Sequence, residues 1–249
     1  MLHILPVVTE SKSGKALIAI FIFTALSVIC PAQSPDYGFI FGNDWEKALS
    51  YIEENDPWIR SSLEKYNIPY TETVAVIFPE LVRYSAIRDK MEITLLKTLY
   101  RNIGTQYADF SAGEFQVKPS CAEMIRRAAP AAMGKKSKEL FAKRASYKND
   151  YQFRVAIITD LENPKSEFNY IIAFYLICQK RFDLEKMDEV SRIKFLATAY
   201  NTGFWKSREE INKMVERKFF NTKLFKTDNY SYADVALYWY ENYSSDRRK

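Results

Sequence analysis

The chain has 249 residues, 36 Lys and Arg against 31 Asp and Glu, a net charge of +5, one His, three Cys and seven Gly. That length allows one large domain or two small ones, and a chain this size buries about 70–75% of its unfolded surface. With 47% hydrophobic and 27% charged residues, it is neither disordered, collagen-like nor disulfide-dense.

Lys12 and Lys15 precede Ala16–Ile29, an apolar or small stretch in which only Thr24 and Ser27 carry hydroxyls, and Cys30-Pro31-Ala32 follows. A basic flank, a short apolar stretch and a small-residue site describe a secretory signal peptide. The stretch is shorter than the about 20 residues of a membrane span. The expectation is therefore cleavage after Ala32, export to the periplasm or cell envelope, and a single domain over residues 33–249. An uncleaved anchor is the alternative. Loss of residues 1–32 removes two Lys and one Glu, leaving +4. No Lys/Arg block is long enough to suggest nucleic acid.

The remaining chain reads as helix almost throughout, so the expected class is all-α. Asn43-Asp44 opens a helix over residues 45–55, and Asp56-Pro57, a cap followed by a Pro at the first position, opens another over 58–67. From Thr71 to Arg88, Val74, Ile77, Phe78, Leu81 and Val82 fall at helical spacing. Glu92–Arg101 continues likewise. A loop over Asn102–Val117 holds Gly104 and Gly113, and Lys118-Pro119-Ser120 opens a helix through Arg127. Helices follow over Ser137–Ala145, Tyr151–Leu161, Glu167–Arg181, Met187–Asn201, Arg208–Lys218 and Ala233–Tyr243. Asn163-Pro164 and Thr202-Gly203 are breaks. No stretch alternates with period two long enough to predict a strand. Residues 135–148 are polar and basic and suit a flexible connection. Tyr230-Ser231-Tyr232 and Tyr238-Trp239-Tyr240 suit core packing or stacking on a flat ligand. Cys121 and Cys178 can pair in an oxidising compartment or serve as small buried hydrophobes.

The single His, His3, falls in the expected leader. A mature chain without His has no Ser-His-Asp or Cys-His mechanism and none of the common His-based zinc sites. Catalysis, if there is any, must rest on carboxylates, Lys, Tyr, amides or hydroxyls, and no metal or other cofactor is expected. Three segments carry that chemistry. In Ile77-Phe78-Pro79-Glu80-Leu81-Val82-Arg83, a carboxylate sits among apolar residues. Such surroundings disfavour the charged form and let the acid keep its proton towards neutrality. In the segment from Tyr107 to Ser120, Gly113 allows a close backbone approach to a ligand, and Gln116 can donate and accept hydrogen bonds with a sugar amide or hydroxyl. Ala199-Tyr200-Asn201-Thr202-Gly203 closes a helix with a Gly stop. Each also has a plain structural reading: an exposed Glu, an ordinary loop and a helix cap.

Together, and in this order, the segments resemble the lysozyme-like lytic transglycosylases and goose-type lysozymes. Those enzymes show a catalytic Glu on a helix, then Gly-x-x-Gln-[apolar]-x-Pro, then Ala-Tyr-Asn-x-Gly. The matching residues are Glu80, Gly113-Glu114-Phe115-Gln116-Val117-Lys118-Pro119 and Ala199-Tyr200-Asn201-Thr202-Gly203. Two positions depart from the pattern: Leu81 replaces the usual Ser, and Glu114 replaces an apolar residue. The stretch between Glu80 and Gln116 is also longer than usual.

The resemblance implies a lysozyme-like helical domain with a cleft and extra helices at both ends. It also implies peptidoglycan glycan strands as the partner. Glu80 would act alone, first as acid on the glycosidic oxygen and then as base on the muramyl 6-hydroxyl, closing a 1,6-anhydro ring. Gln116 and Tyr200 would position the sugar or its acetamido group, Asn201, Gly113 and Gly203 would shape the cleft, and Trp205 would flank it. Ordinary glycosidases use two carboxylates; a hydrolytic lysozyme would use Asp109, or next Glu114, to hold water. The competing class is a non-catalytic peptidoglycan-binding envelope protein. Apart from a cell-envelope machine as a possible partner, the chain is read as a monomer.

Overall fold

The computed structural model describes residues 35–86, 90–220 and 229–244. The expected leader over residues 1–32 lies outside them, as do the last residues of the Thr71–Arg88 prediction. The described residues are mostly helical, as an all-α reading requires. In order they form α1 (Tyr37–Phe41), α2 (Asn43–Glu64), α3 (Tyr70–Ala86), α4 (Lys90–Ile103), α5 (Pro119–Met133), α6 (Ser137–Leu140), α7 (Asp150–Leu161), α8 (Pro164–Phe182), α9 (Glu189–Thr202), α10 (Arg208–Asn212) and α11 (Tyr232–Tyr243). A short antiparallel pair, β1 (Lys218–Phe220) and β2 (Tyr230–Ser231), precedes α11. None of these helices is long and apolar enough to cross a membrane.

The all-round apolar α3 is central. Every residue from Glu72 to Val82 is buried, and α2, α9 and α11 pack around it. A helix apolar on every side belongs inside a core. Phe78 meets the Trp45 ring at 4.6 Å and stacks on Trp239 at 5.4 Å. Trp239 and Tyr240 are core residues. Tyr232, also buried, donates its hydroxyl to the Val76 carbonyl at 3.0 Å. The aromatic C-terminal segments therefore pack the interior.

The second buried helix is α8, against which α5, α6 and α7 pack. A polar clasp joins it to α3 and α9. Tyr175 Oη donates to Glu72 Oε1, and Arg192 Nε donates to Glu72 Oε2, both at 2.6 Å. A buried carboxylate fits a core only when it is paired in this way.

Several expected boundaries differ; the helix expected to end at Arg127, for one, runs on to Met133. One helix, α2, runs through Pro57. Its stripe of Trp45, Ala48, Ile52, Ile59 and Leu63 crosses that point and is buried. Asp56 pairs with Arg60 at 3.1 Å instead of starting a new helix. The helix expected over Ser137–Ala145 stops at Leu140, where Phe141 turns extended and packs on Tyr170 with ring centroids 4.7 Å apart. The helix expected over Arg208–Lys218 ends at Asn212, and Lys218 enters β1.

Candidate functional site

Glu80 owes its surroundings to the apolar α3 that carries it. The residue is only 4% exposed. Burial pushes its carboxyl above the ordinary value of 4.5, against the opposing pull of Arg83 and Lys118. One helical turn on, Arg83 Nη1 donates to both carboxylate oxygens at 3.0 Å. The Arg83 guanidinium in turn lies over the Phe220 ring, 4.9 Å from its centroid.

Glu80 opens on a cavity of about 180 Å³. Asp109, Gln116, Tyr200, Asn201, Gly203 and Trp205 line the same cavity, so α3, the loop before α5 and the end of α9 all contribute to it. Gly113 does not line it.

A tight turn carries Gln116 there. Ala112 and Val117 form a single antiparallel bridge, with Ala112 N donating to Val117 O at 3.2 Å. Inside the turn, the buried Glu167 of α8 accepts the N–H groups of Glu114 at 2.8 Å, Phe115 at 3.1 Å and Val117 at 3.3 Å. Burial drives the Glu167 carboxyl well above its ordinary range, and the three N–H donors oppose that shift.

Gly113 has φ 76°, and a Cβ there would lie 2.2 Å from Glu167 Oε2. The sequence suggested that its bare backbone admits a ligand. The group it admits is this carboxylate of the same chain. Gln116 is itself left-handed, with φ 56°, a conformation that costs a non-glycine residue about 1–3 kcal/mol and needs support from its surroundings. Its Nε2 donates to Gly113 O at 2.9 Å.

Tyr200 supplies further support. Its hydroxyl donates to the Phe115 carbonyl at 2.8 Å, and its ring meets Phe174 edge-on at 5.2 Å. The hydroxyl is thus committed to holding the turn. Replacing Tyr200 by Phe should cost about 1 kcal/mol. Thermal unfolding should show that as a loss of about 2–4 °C.

Asp109 is committed as well. Its two oxygens accept from Ser120 N at 3.0 Å and Ser120 Oγ at 2.8 Å, which caps the first turn of α5. The half-buried Asn201 has no side-chain partner among the described residues, so its amide is available to the cavity. Gly203 has φ 114°, and a Cβ there would lie 2.6 Å from Trp205 Cζ2. The Trp205 indole covers the glycine while staying 38% exposed. Arg181 Nη2 anchors that residue's backbone, donating to Trp205 O at 2.9 Å.

Two residues that matter here were not singled out from sequence. Arg83 was visible in principle, three residues after Glu80 on a helix. Glu167 carried no such signal, since Lys165, Ser166 and Asn169 surround it in the first turn of α8. Cys121 and Cys178 are both free, and burial pushes the Cys121 thiol up to about 12. The two departures from the expected pattern, Leu81 and Glu114, face away from Glu80 and line a second cavity. No group of His, Cys, Asp and Glu among the described residues is placed to hold a metal ion. No family model, curated protein or solved structure matches the chain.

Proposed function

We propose that this protein is a lytic transglycosylase that cuts the β-1,4 bond between MurNAc and GlcNAc in peptidoglycan, in a lysozyme-like cleft, after export to the cell envelope. One observation carries the reading. A buried acid, a strained Gln, and an Asn with a free amide come from three distant segments to line one cavity. This is the combination that an acid acting on an amide-bearing sugar needs.

The protonated Glu80 gives its proton to the glycosidic oxygen as the bond from C1 to that oxygen breaks. The acetamido oxygen of the substrate supports the cationic C1. The Glu80 carboxylate then takes the proton of the muramyl 6-hydroxyl as that oxygen bonds to C1. The proton is returned, and the product is a 1,6-anhydro ring with no water consumed. Gln116 Oε1 and the Asn201 amide are the groups able to hold the acetamide.

The acid step needs Glu80 protonated. Its raised pKa keeps the proton on at higher pH than an exposed Glu would. Activity on purified peptidoglycan should therefore fall as pH rises through that value. Arg83 pulls the pKa down, so Arg83→Met should move the falling limb to higher pH. A pH–rate profile of both proteins measures this, and an unmoved limb would mean that it does not report Glu80.

A hydrolytic lysozyme is the second reading, because Asp109 lines the cavity. Both its oxygens are bonded to Ser120, which argues for a capping role. On the transglycosylase reading, Asp109→Asn should leave the chemistry of the product ends unchanged.

A further inference from the structure

Four charged groups line the Glu80 cavity: Glu80, Asp109, Arg83 and Lys118. Asp109 is committed to Ser120, where it caps α5. Lys118 is exposed and makes no ion pair among the described residues. Arg83 is mostly buried, its side chain 19% exposed. Its Nη1 alone is bonded, to Glu80, while Nε and Nη2 have no hydrogen-bond partner among the described residues. By contrast, the buried Arg126 of α5 has all three nitrogens bonded, to Tyr170, Tyr147 and Asp160. The fold closes one guanidinium completely and leaves the one beside Glu80 partly open.

The acid step changes the balance of charge. A protonated Glu80 is neutral, so Arg83 loses its counter-charge while Lys118 still has none. The cavity then holds two cations against one anion. A charge held out of water without a partner is costly, and cations beside Glu80 work against its proton. One carboxylate on the substrate brings the cavity to neutrality and lets Glu80 keep its proton. It also gives the free Arg83 nitrogens and the Lys118 ammonium a charged acceptor, which makes for the stronger kind of hydrogen bond. The half-buried Ser111 lines the same space, and its hydroxyl has no partner among the described residues, so it can donate too.

We infer that Arg83 and Lys118 hold the lactyl carboxylate of a muramic acid whose stem peptide has been removed, so that the protein acts on peptide-free glycan. The inference rests on the transglycosylase reading of Glu80 and adds the substrate class to it. On the sugar, the lactyl ether at C3 is the neighbour of the acetamide at C2. On the protein, Lys118 stands two residues from Gln116, a group able to hold that acetamide. In a peptide-bearing strand the lactyl carboxyl is an amide and carries no charge. Hydrolysis of that amide must therefore supply the substrate.

Three forms of glycan strand test this: peptide-bearing strands, strands stripped of peptide by an amidase, and stripped strands whose carboxylates have been coupled to methylamine. Mass spectrometry reads the rate at which 1,6-anhydro ends appear. The purified protein should cut the stripped strands about tenfold faster than either of the other forms. Lys118→Gln should lower the ratio of stripped to methylamidated rates about threefold, which a merely structural role for Lys118 would not do. Lys135→Gln, beyond the opposite end of α5, should leave that ratio unchanged. Equal rates on stripped and methylamidated strands overturn the inference, as does an unaltered ratio in Lys118→Gln. Peptide-bearing strands cut as fast as stripped ones overturn it too, since a stem-peptide carboxylate would then serve. Cutting of none of the three forms overturns the transglycosylase reading itself, and the inference with it.

Discussion

Glu80→Gln should release soluble fragments from purified peptidoglycan about 10²–10⁴-fold more slowly than the parent, the usual range for losing a general acid–base. The substitution keeps the side chain's shape, and its oxygen can still accept from Arg83, so the cavity stays built. Affinity for the glycan should persist, and it is the loss of release at kept affinity that marks an enzyme. A binder would show the same behaviour with and without the carboxylate.

The sign of the stability change follows from the same burial. The folded pKa of Glu80 lies above its unfolded value. The stability it contributes is fully present below the unfolded value and is lost as pH rises through the folded one. Glu80→Gln should therefore flatten the fall of melting temperature with pH above the ordinary carboxylate range. Melting temperatures measured across pH for both proteins check this.

Gly113→Ala should be the most damaging alanine substitution among the described glycines. A Cβ would meet Glu167 Oε2 at 2.2 Å and the Leu161 carbonyl oxygen at 2.4 Å, both in the packed interior. The backbone there also has φ 76°. Steric overlap and left-handed strain each cost about 1–3 kcal/mol. The sum, about 2–6 kcal/mol, corresponds to a loss of roughly 5–20 °C for a domain of this size. Thermal unfolding followed by circular dichroism measures it. Activity should fall too, because the displaced turn takes Gln116 with it. A variant of unchanged stability would mean that the turn relaxes freely and that Glu167 is no clamp.

Some of this arrangement was legible in the sequence. The apolar run around Glu80 announced a carboxylate with few polar neighbours, and α3 is buried on every face. The helical character of α3 was visible from the spacing of Val74, Ile77, Phe78, Leu81 and Val82. Pro57 misled because local capping chemistry competes with a buried stripe that continues through it. The stripe prevails, since tertiary burial is worth more than one cap.

The partner of Gly113 was not legible. Its need for a bare backbone comes from Glu167, more than 50 residues away, and no local pattern encodes that meeting. Tyr200 shows the same limit. Its place beside the cavity was expected, but its hydroxyl serves the Phe115 carbonyl. Glu114 likewise belongs to a cavity that only the fold creates.

The central claim is that Glu80 alone carries out transglycosylation, and the chemistry of the product ends tests it most directly. Purified peptidoglycan is digested with the protein, and the released muropeptides are read by mass spectrometry, with Glu80→Gln alongside. The account predicts 1,6-anhydro-muramyl ends from the parent and almost none from the variant. Reducing ends would contradict it and make the protein a lysozyme, while no release under conditions where a known muramidase cuts would contradict the enzyme reading itself.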